Sequence, residues 1–428
     1  MRRPLVILTS AIAGLGHLRV TRALEDALPP SATHIFLPAG DTWLTHFHNV
    51  MSNHAPLRHA FESIQDTPFL EDWFTWLARV GVHLSSAKVI RQIVAAVKQA
   101  GGSPTEIIIA CSHFMLAEAV GYRKLELEAA LNLPVRLAVQ VTDDTTQHIW
   151  CVPGTDLLIT PSSHSARGLA TYLENHHLPS IPMIILPYPI APLFGEVLAG
   201  HSFAHRLSQY RGTLPVEVVI PISGAAVGLP FLTSLASSLS RSTQPVFHLH
   251  LVGENSPRLQ RGTEALTHLR GMSFIKASSD NATISAYNRL YRQHVIGLEI
   301  TKPSEQSFKV LAGRGQVGGS ILFFTSPVGR QEYENLAYLV RNRFIPSPRD
   351  RNTLFSLARY HAAIPAEMLA QAKFWRGIQL PPDPVTASAF IAWCVTSGLC
   401  LKMGTVARRE PSLQPTGARE FWDVVLKY

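Results

Sequence analysis

The stretch Ile300–Leu339, ITKPSEQSFKVLAGRGQVGGSILFFTSPVGRQEYENLAYL, decides how the rest of the chain is read. The apolar run Leu298–Thr301 just before it reads as a strand. Lys302-Pro303 stops that strand, because proline lacks an N–H and fixes φ. Ser304 is placed to N-cap a helix running to Leu311, with Glu305 in its first turn. Gly313–Gly319 breaks that helix, and Ile321–Phe324 is apolar throughout, as a strand buried on both faces requires. Pro327 and Gly329 make the next loop, and Gln331-Glu332 open a second helix that carries Asn335. Two helix N-termini therefore project from the carboxyl side of neighbouring strands. Their free N–H groups and dipoles favour a negatively charged ligand such as a diphosphate.

The same alternation extends back to the N-terminus. Pro4–Thr9 reads as a parallel-type strand, Ala13–His17 as a glycine-containing turn, and Arg19–Leu28 as a helix with Val20, Ala23, Leu24 and Leu28 on one face. Thr33–Leu37, Ile107–Ala110, Arg136–Val141 and Asp156–Ile159 are further strands, with a helix over Met115–Leu131. From His46 to Gln99 there is no strong strand. Phe61, Phe69, Trp73, Phe74, Trp76 and Leu77 cluster there ahead of a helix over Ala87–Lys98. Val216–Ile220 restarts the pattern with a small-residue turn at Ser223–Gly228 and a helix over Leu229–Leu239, and Phe247–Val252 and Ser273–Ile275 are its next strands. Beyond Arg341 helices are expected at Leu354–Ala362, Ala366–Phe374, Pro384–Met403 and Ala418–Lys427, with no strand alternation. Two successive βα-repeat domains give an α/β fold with a ligand cleft at the carboxyl edges of the sheets.

At 428 residues two domains are the default, each large enough for its own core. Hydrophobic residues make up 46% and charged residues 16%, which is globular and mildly apolar. The net charge of +8 suits an anionic substrate or membrane surface, and equally a solvated basic surface. The charge is spread and has no aromatic-basic motif beside it, so nucleic acid is not an expected partner. Cys111, Cys151, Cys394 and Cys400 lack C-x-x-C spacing, so no zinc site or disulfide framework is expected and a reducing cytosol fits. No run approaches the ~20 apolar residues that span a bilayer. Gly313-Arg-Gly-Gln-Val-Gly318 spells G-x-G-x-x-G, but a helix precedes it and a strand follows, the reverse of the dinucleotide fingerprint. It is read as a flexible loop.

The quoted stretch resembles the donor-sugar site of GT-B glycosyltransferases, in particular the diacylglycerol glycosyltransferases and the muramyl-lipid N-acetylglucosaminyltransferase. A TKPGG-type loop and a P-x-x-GQE-x-x-N segment characterise those families. Thr301-Lys302-Pro303, Pro327, Gly329, Gln331, Glu332 and Asn335 match. Ser304-Glu305-Gln306-Ser307 replaces the glycine pair and its neighbours, and the acidic residue that holds the donor ribose falls at Lys309 or Val310. The resemblance therefore implies a nucleotide-sugar site of atypical pattern. Its donor-side residues are Gly224, Gly228, Lys302, Ser304, Ser307, Gly329, Gln331 and Glu332. Gly14-Leu-Gly16-His17 resembles the GxGH loop of the same families, and Thr142-Asp-Asp144…His148…Trp150 their TD…H..W segment. On that likeness His17 is the base or charge stabiliser, Asp143 or Asp144 its orienting carboxylate, and Gly14, Gly16, His113 and His148 line the acceptor side.

Plain structural readings stand beside these: His17 as a helix cap or packed histidine, Asp143 or Asp144 as an Asx turn, and the aromatic cluster as helix packing rather than a surface meeting acceptor and membrane. The proline-rich Ile184–Phe194 resembles the interdomain linker. This implies an acceptor-side domain over 1–193, a nucleotide-sugar domain over 194–345 and a helical tail over 346–428. The function implied is metal-independent transfer of a sugar from a nucleotide-sugar co-substrate, with no cofactor, to a lipid or small-molecule acceptor. The expected location is cytoplasmic or peripheral at a membrane. A nucleotide-sugar epimerase and a non-catalytic binding protein on the same scaffold are the rival readings.

Overall fold

The computed structural model describes residues 3–11, 15–39, 68–222, 226–406 and 410–428. The chain forms two compact units. The first comprises Met1–Pro192, Gly329–Gln331 and Thr416–Tyr428, and the second Leu193–Val328 and Glu332–Pro415.

In the first unit β1 (Pro4–Ala11), β2 (Thr33–Ala39), β3 (Glu106–Cys111), β4 (Val135–Gln140), β5 (Leu157–Thr160) and β6 (Met183–Ile185) form one parallel sheet in the order β2-β1-β3-β4-β5-β6. Every residue of β3 and β5 is buried, as strands covered on both faces require. The crossover helices are α1 (Leu15–Asp26), α2 (Pro68–Ala100), α3 (Phe114–Tyr122), α4 (Lys124–Leu131) and α5 (Ser163–Asn175). The chain steps from β1 to β2 on one side and returns to place β3 on the other. The carboxyl ends of β1 and β3 therefore flank a topological switch point, where open α/β sheets take their ligands. The C-terminal helix Gly417–Val425 belongs to this unit. Trp422 Nε1 donates to the Leu24 carbonyl at 2.7 Å, and Arg136 spans Glu106 at 2.9 Å and the Val425 carbonyl at 3.0 Å.

The second unit repeats the design with β7 (Val216–Pro221), β8 (Phe247–Glu254), β9 (Met272–Ala277), β10 (Leu298–Thr301), β11 (Ile321–Phe324) and β12 (Gly377–Gln379), again all parallel, in the order β12-β11-β10-β7-β8-β9. Its longer helices are α6 (Gly200–Tyr210), α7 (Leu229–Ser240), α8 (Pro257–Thr263), α9 (Asp280–Gln293), α10 (Arg330–Arg341, from Glu332 onward), α11 (Pro348–Arg359), α12 (Ala366–Ala372) and α13 (Pro384–Thr396). Here the switch point lies between β7 and β10, so the segments after those two strands flank it. The two doubly wound units with C-terminal helices are the architecture that the sequence led us to expect.

Four expectations need correcting. The segment before Gly101 is one 33-residue helix, α2, rather than a short one. Val82, Val89, Ile90, Ile93 and Val97 of α2 enter the first unit's core. By length and composition Leu70–Ala100 is also apolar enough to cross a membrane, with a third of its most apolar window buried. The charged residues spaced along it hid that apolarity from a search for an unbroken run. Second, the chain after residue 345 carries a strand. β12 has only three residues, too few for a periodic signal, and Gly377 lets it close on Phe324, where a Cβ would meet Cε2 at 2.7 Å. Third, Glu305–Leu311 is a 3-10 segment buried from Gln306 onward, and the Ser304 side chain makes no capping bond. Packing on all sides holds this turn, not its cap.

Fourth, the Gly313–Gly319 loop is tied down by two buried arginines. Arg206 donates to the carbonyls of Arg314, Gln316 and Val317 at 2.6–2.9 Å, and Arg376 to those of Ala312 and Ser320 at 3.0–3.1 Å. Burial pulls the Arg376 guanidinium down to about 10. A Cβ at Gly319 would meet the Gly313 carbonyl oxygen at 2.1 Å, so its glycine serves close packing rather than a phosphate. Arg314 itself donates to the Leu401 carbonyl at 2.9 Å.

Lys309, where the resemblance would put a ribose-holding acid, is taken up in the core. Its ammonium is buried between Glu299 and the hydroxyls of Tyr287 and Tyr291, with the oxygens at 2.6 Å in both tyrosine contacts. The neighbouring Val310 is buried as well. Lys309→Met leaves the Glu299 carboxylate buried without its cation and should cost ~3–5 kcal/mol, while Glu299→Leu with Lys309→Met should recover most of that loss. Urea unfolding checks both. A single substitution costing under ~1 kcal/mol would contradict a buried, mutually dependent pair.

Candidate functional site

In the second unit the two matching segments meet. β10 ends at Thr301 and delivers Lys302-Pro303, and α10 begins beyond Gly329, whose φ of +86° lets the loop turn into the helix. Lys302 Nζ lies 2.5 Å from Glu332 Oε1, and Glu332 Oε2 accepts the Val328 N–H at 2.7 Å. Asn335, fully buried, donates to the Pro303 carbonyl at 3.2 Å. One helix thus clamps the loop after β10 and the loop after β11, residues separated by about thirty positions in the chain. Burial pushes the Glu332 carboxyl above its ordinary range; Lys302 and the Val328 N–H oppose the shift, and Glu305 adds to it.

The other donor-side candidates divide. Gly228 adopts φ +76° at the start of α7, on the β7 side of the switch point, with open space where a side chain would be. Ser304 is half-buried beside Lys302. Ser307 lies inside the unit, its hydroxyl buried and without a hydrogen-bond partner. Gln331 Nε2 donates to Gln147 Oε1 at 3.0 Å within the first unit. Gly224 and Gly14 lie outside the described residues.

At the first unit's switch point His17 sits in the opening turn of α1, directly after Gly16. Its Nδ1 is 2.7 Å from the Ser112 carbonyl and 3.2 Å from Thr142 Oγ1. A carbonyl oxygen only accepts, so Nδ1 carries the proton of the neutral ring and Nε2 is the basic nitrogen. Thr21 Oγ1 donates to the His17 carbonyl at 2.9 Å and lies 2.6 Å from Ser112 Oγ, which fixes the turn. His113 is buried, with its ring edge-on to His17 at 4.6 Å and stacked on Phe114 at 4.8 Å. It supports His17 from within.

Of the two carboxylates expected to orient His17, Asp144 is taken up by hydroxyls at the start of α5. Asp144 is buried and bonded to the Ser162 and Ser165 hydroxyls, the latter at 2.7 Å, and Ser162 in turn caps α5. Asp143 is half-buried on the same loop. Their neighbour Thr142, two residues past the end of β4, reaches His17. His148 pairs with Asp72 at 2.7 Å and stacks on Tyr172 at 3.9 Å, with His176 also on Asp72 at 3.2 Å. It is thus part of the α2–α5 contact. The sequence reading gave Thr142, Ser112 and Thr21 no role of their own, although Ser112 directly follows a fully buried strand, as switch-point residues do. Cys111, Cys151, Cys394 and Cys400 are buried and unpaired; burial pushes the Cys111 thiol up to about 12, which leaves it unreactive.

No family model matches the chain, and no curated protein matches it by sequence. Among solved structures, the S. aureus MnaA–UDP co-structure is similar at 9% identity over 98% of this chain and 94% of that one, with a TM-score of 0.49. MurG from Acinetobacter baumannii is similar at 11% identity over 100% of both chains, with a TM-score of 0.47. The UDP-GlcNAc 2-epimerase from Neisseria meningitidis bound to UDP-GlcNAc is similar at 9% identity over 100% of both, with a TM-score of 0.44. These are likenesses in the course of the chain and assign no reaction.

Glu332→Ala removes the clamp on both loops. It should lower stability by about 1–3 kcal/mol through the orphaned Val328 N–H and Lys302, and should speed amide exchange at Val328. Unchanged protection of that amide would show that the carboxylate does not hold the loop.

Proposed function

We propose that the chain is a glycosyltransferase of GT-B type that uses a nucleotide-sugar donor without a catalytic metal. The observation that carries this reading is the clamp in the second unit. The Thr301-Lys302-Pro303 and Gly329-x-Gln331-Glu332-x-x-Asn335 segments, which resemble a donor-sugar site, are held together at the carboxyl edge of a parallel sheet. The loop after β10 borders the switch point. Main-chain N–H groups there and at the start of α10 would stabilise the departing diphosphate. In the transfer the acceptor oxygen bonds to the anomeric carbon as the bond to the diphosphate breaks, and His17 Nε2 is the base proposed, on the first unit's own geometry, for the acceptor's proton.

Lys309 and Val310 cannot hold the donor ribose from inside the core, and Ser304-Glu305 stands where paired glycines would admit phosphate. The donor is therefore an atypical sugar nucleotide, or a uridine one in a shifted pose. A lipid-bearing acceptor is supported by the exposed face of α2, where Leu70, Trp73, Leu77, Val80 and Leu84 recur at helical spacing; Trp73 is 58% and Leu84 85% exposed. That face would rest on the surface that presents the acceptor.

A panel of nucleotides and nucleotide sugars should contain one that raises the melting temperature; at ~100 times its dissociation constant it adds ~2.7 kcal/mol. With that donor and its acceptor, His17→Ala should melt as the wild type does and turn over ~10²-fold more slowly. Wild-type turnover in folded His17→Ala would remove the base, and a panel with no stabilising nucleotide would remove the donor site. Conversion of the sugar nucleotide with no acceptor present would favour the epimerase reading instead.

A further inference from the structure

At the opposite end of the second sheet from the donor loops, three histidines converge on one carboxylate. Glu217 is the second residue of β7, and His248 is its register partner on β8. A strand repeats every two residues, so His250 shares that face. His250 Nε2 lies 2.6 Å from Glu217 Oε2, His248 Nδ1 3.0 Å from Oε1, and His294 Nδ1, at the end of α9, 3.9 Å from Oε2. The donor atoms of Glu217, His250 and His294 all lie within 4.8 Å of one another. It is the one such group found among the described residues.

We propose that Glu217, His250 and His294 bind a divalent transition-metal ion, with Zn²⁺ the best match and the fourth position left to water. Two imidazoles with one carboxylate are a donor set that zinc accepts. The supporting shell is present: Ser273 Oγ on β9 holds His250 Nδ1 at 2.6 Å, which turns Nε2 toward the shared centre, as the outer nitrogen of a ligating histidine is usually held. Ligand atoms around tetrahedral zinc stand roughly 3.3 Å apart. His294, half-exposed at its helix end, closes the set by turning inward.

Glu217 stands near the start of β7, and the donor-side turn lies beyond its end at Pro221. Four residues of strand at ~3.3 Å each put the ion roughly 13 Å from that turn. Its role is to tie the end of α9 to β7 and β8, and the metal-free chemistry proposed above does not involve it.

Tag-free protein stripped with chelator and titrated with Zn²⁺ by calorimetry should take up one equivalent and melt at a higher temperature. Co²⁺ should give the visible bands of a four-coordinate site, which one equivalent of Zn²⁺ displaces. His294→Ala, at an exposed helix end, should keep the fold and lose at least tenfold in affinity, and His250→Asn with His294→Ala should lose the site. His361→Ala, another exposed histidine, should bind as the wild type does. Absence of saturable binding, or one-equivalent binding unchanged in the double variant, would overturn the assignment. If the double variant fails to fold, His294→Ala alone and the wild-type Co²⁺ spectrum still decide it.

Discussion

The Lys302–Glu332 pair, with Asn335 on the Pro303 carbonyl, is the constraint from which the proposed donor site follows. A loop after a strand has no reason to hold one shape unless its polar groups are satisfied. Here a buried carboxylate at the start of α10 accepts a main-chain N–H from its own loop and the ammonium of the neighbouring one. Two loops from adjacent strands become one rigid edge. Ionising a buried glutamate is unfavourable, and its carboxyl is raised accordingly. Such a cost is tolerated where geometry matters more than stability.

The second unit uses buried charge repeatedly for the same end. Arg206 and Arg376 satisfy a row of carbonyls in the Gly313–Gly319 loop. Lys309 and Glu299 sit under the 3-10 turn between the two motif segments, with Tyr287 and Tyr291 from α9 completing their bonds. The backbone around the proposed site is thus fixed from beneath by buried side chains.

How much of this the sequence disclosed depended on period and length. Long apolar strands such as Ile107–Ala110 and Ile321–Phe324 announced both sheets, since only a strand covered on both faces is apolar at every position. β12, three residues long, carried no such signal. The matching motifs picked out the two segments that the clamp joins, but not that Ser307 and Lys309 are buried, because a buried 3-10 turn has no polar face to read. His17 was legible from its place after Gly16 at a strand end. Ser112 and Thr142, which bond it, lie just past strands that are 95 and 125 residues away in sequence, and pairing at that range is set by sheet order alone. The Glu217–His250–His294 group was hidden for the same reason: its spacing makes sense only once β7 and β8 are paired in register.

The central claim is that the loops after β10 and β11 bind the diphosphate of a nucleotide sugar. Photolabelling with an azido analogue of uridine diphosphate, followed by peptide mapping, tests it most directly. The account predicts label within residues 301–311 or 325–336, abolished by unlabelled nucleotide. Label elsewhere, or label that excess nucleotide does not displace, would contradict it.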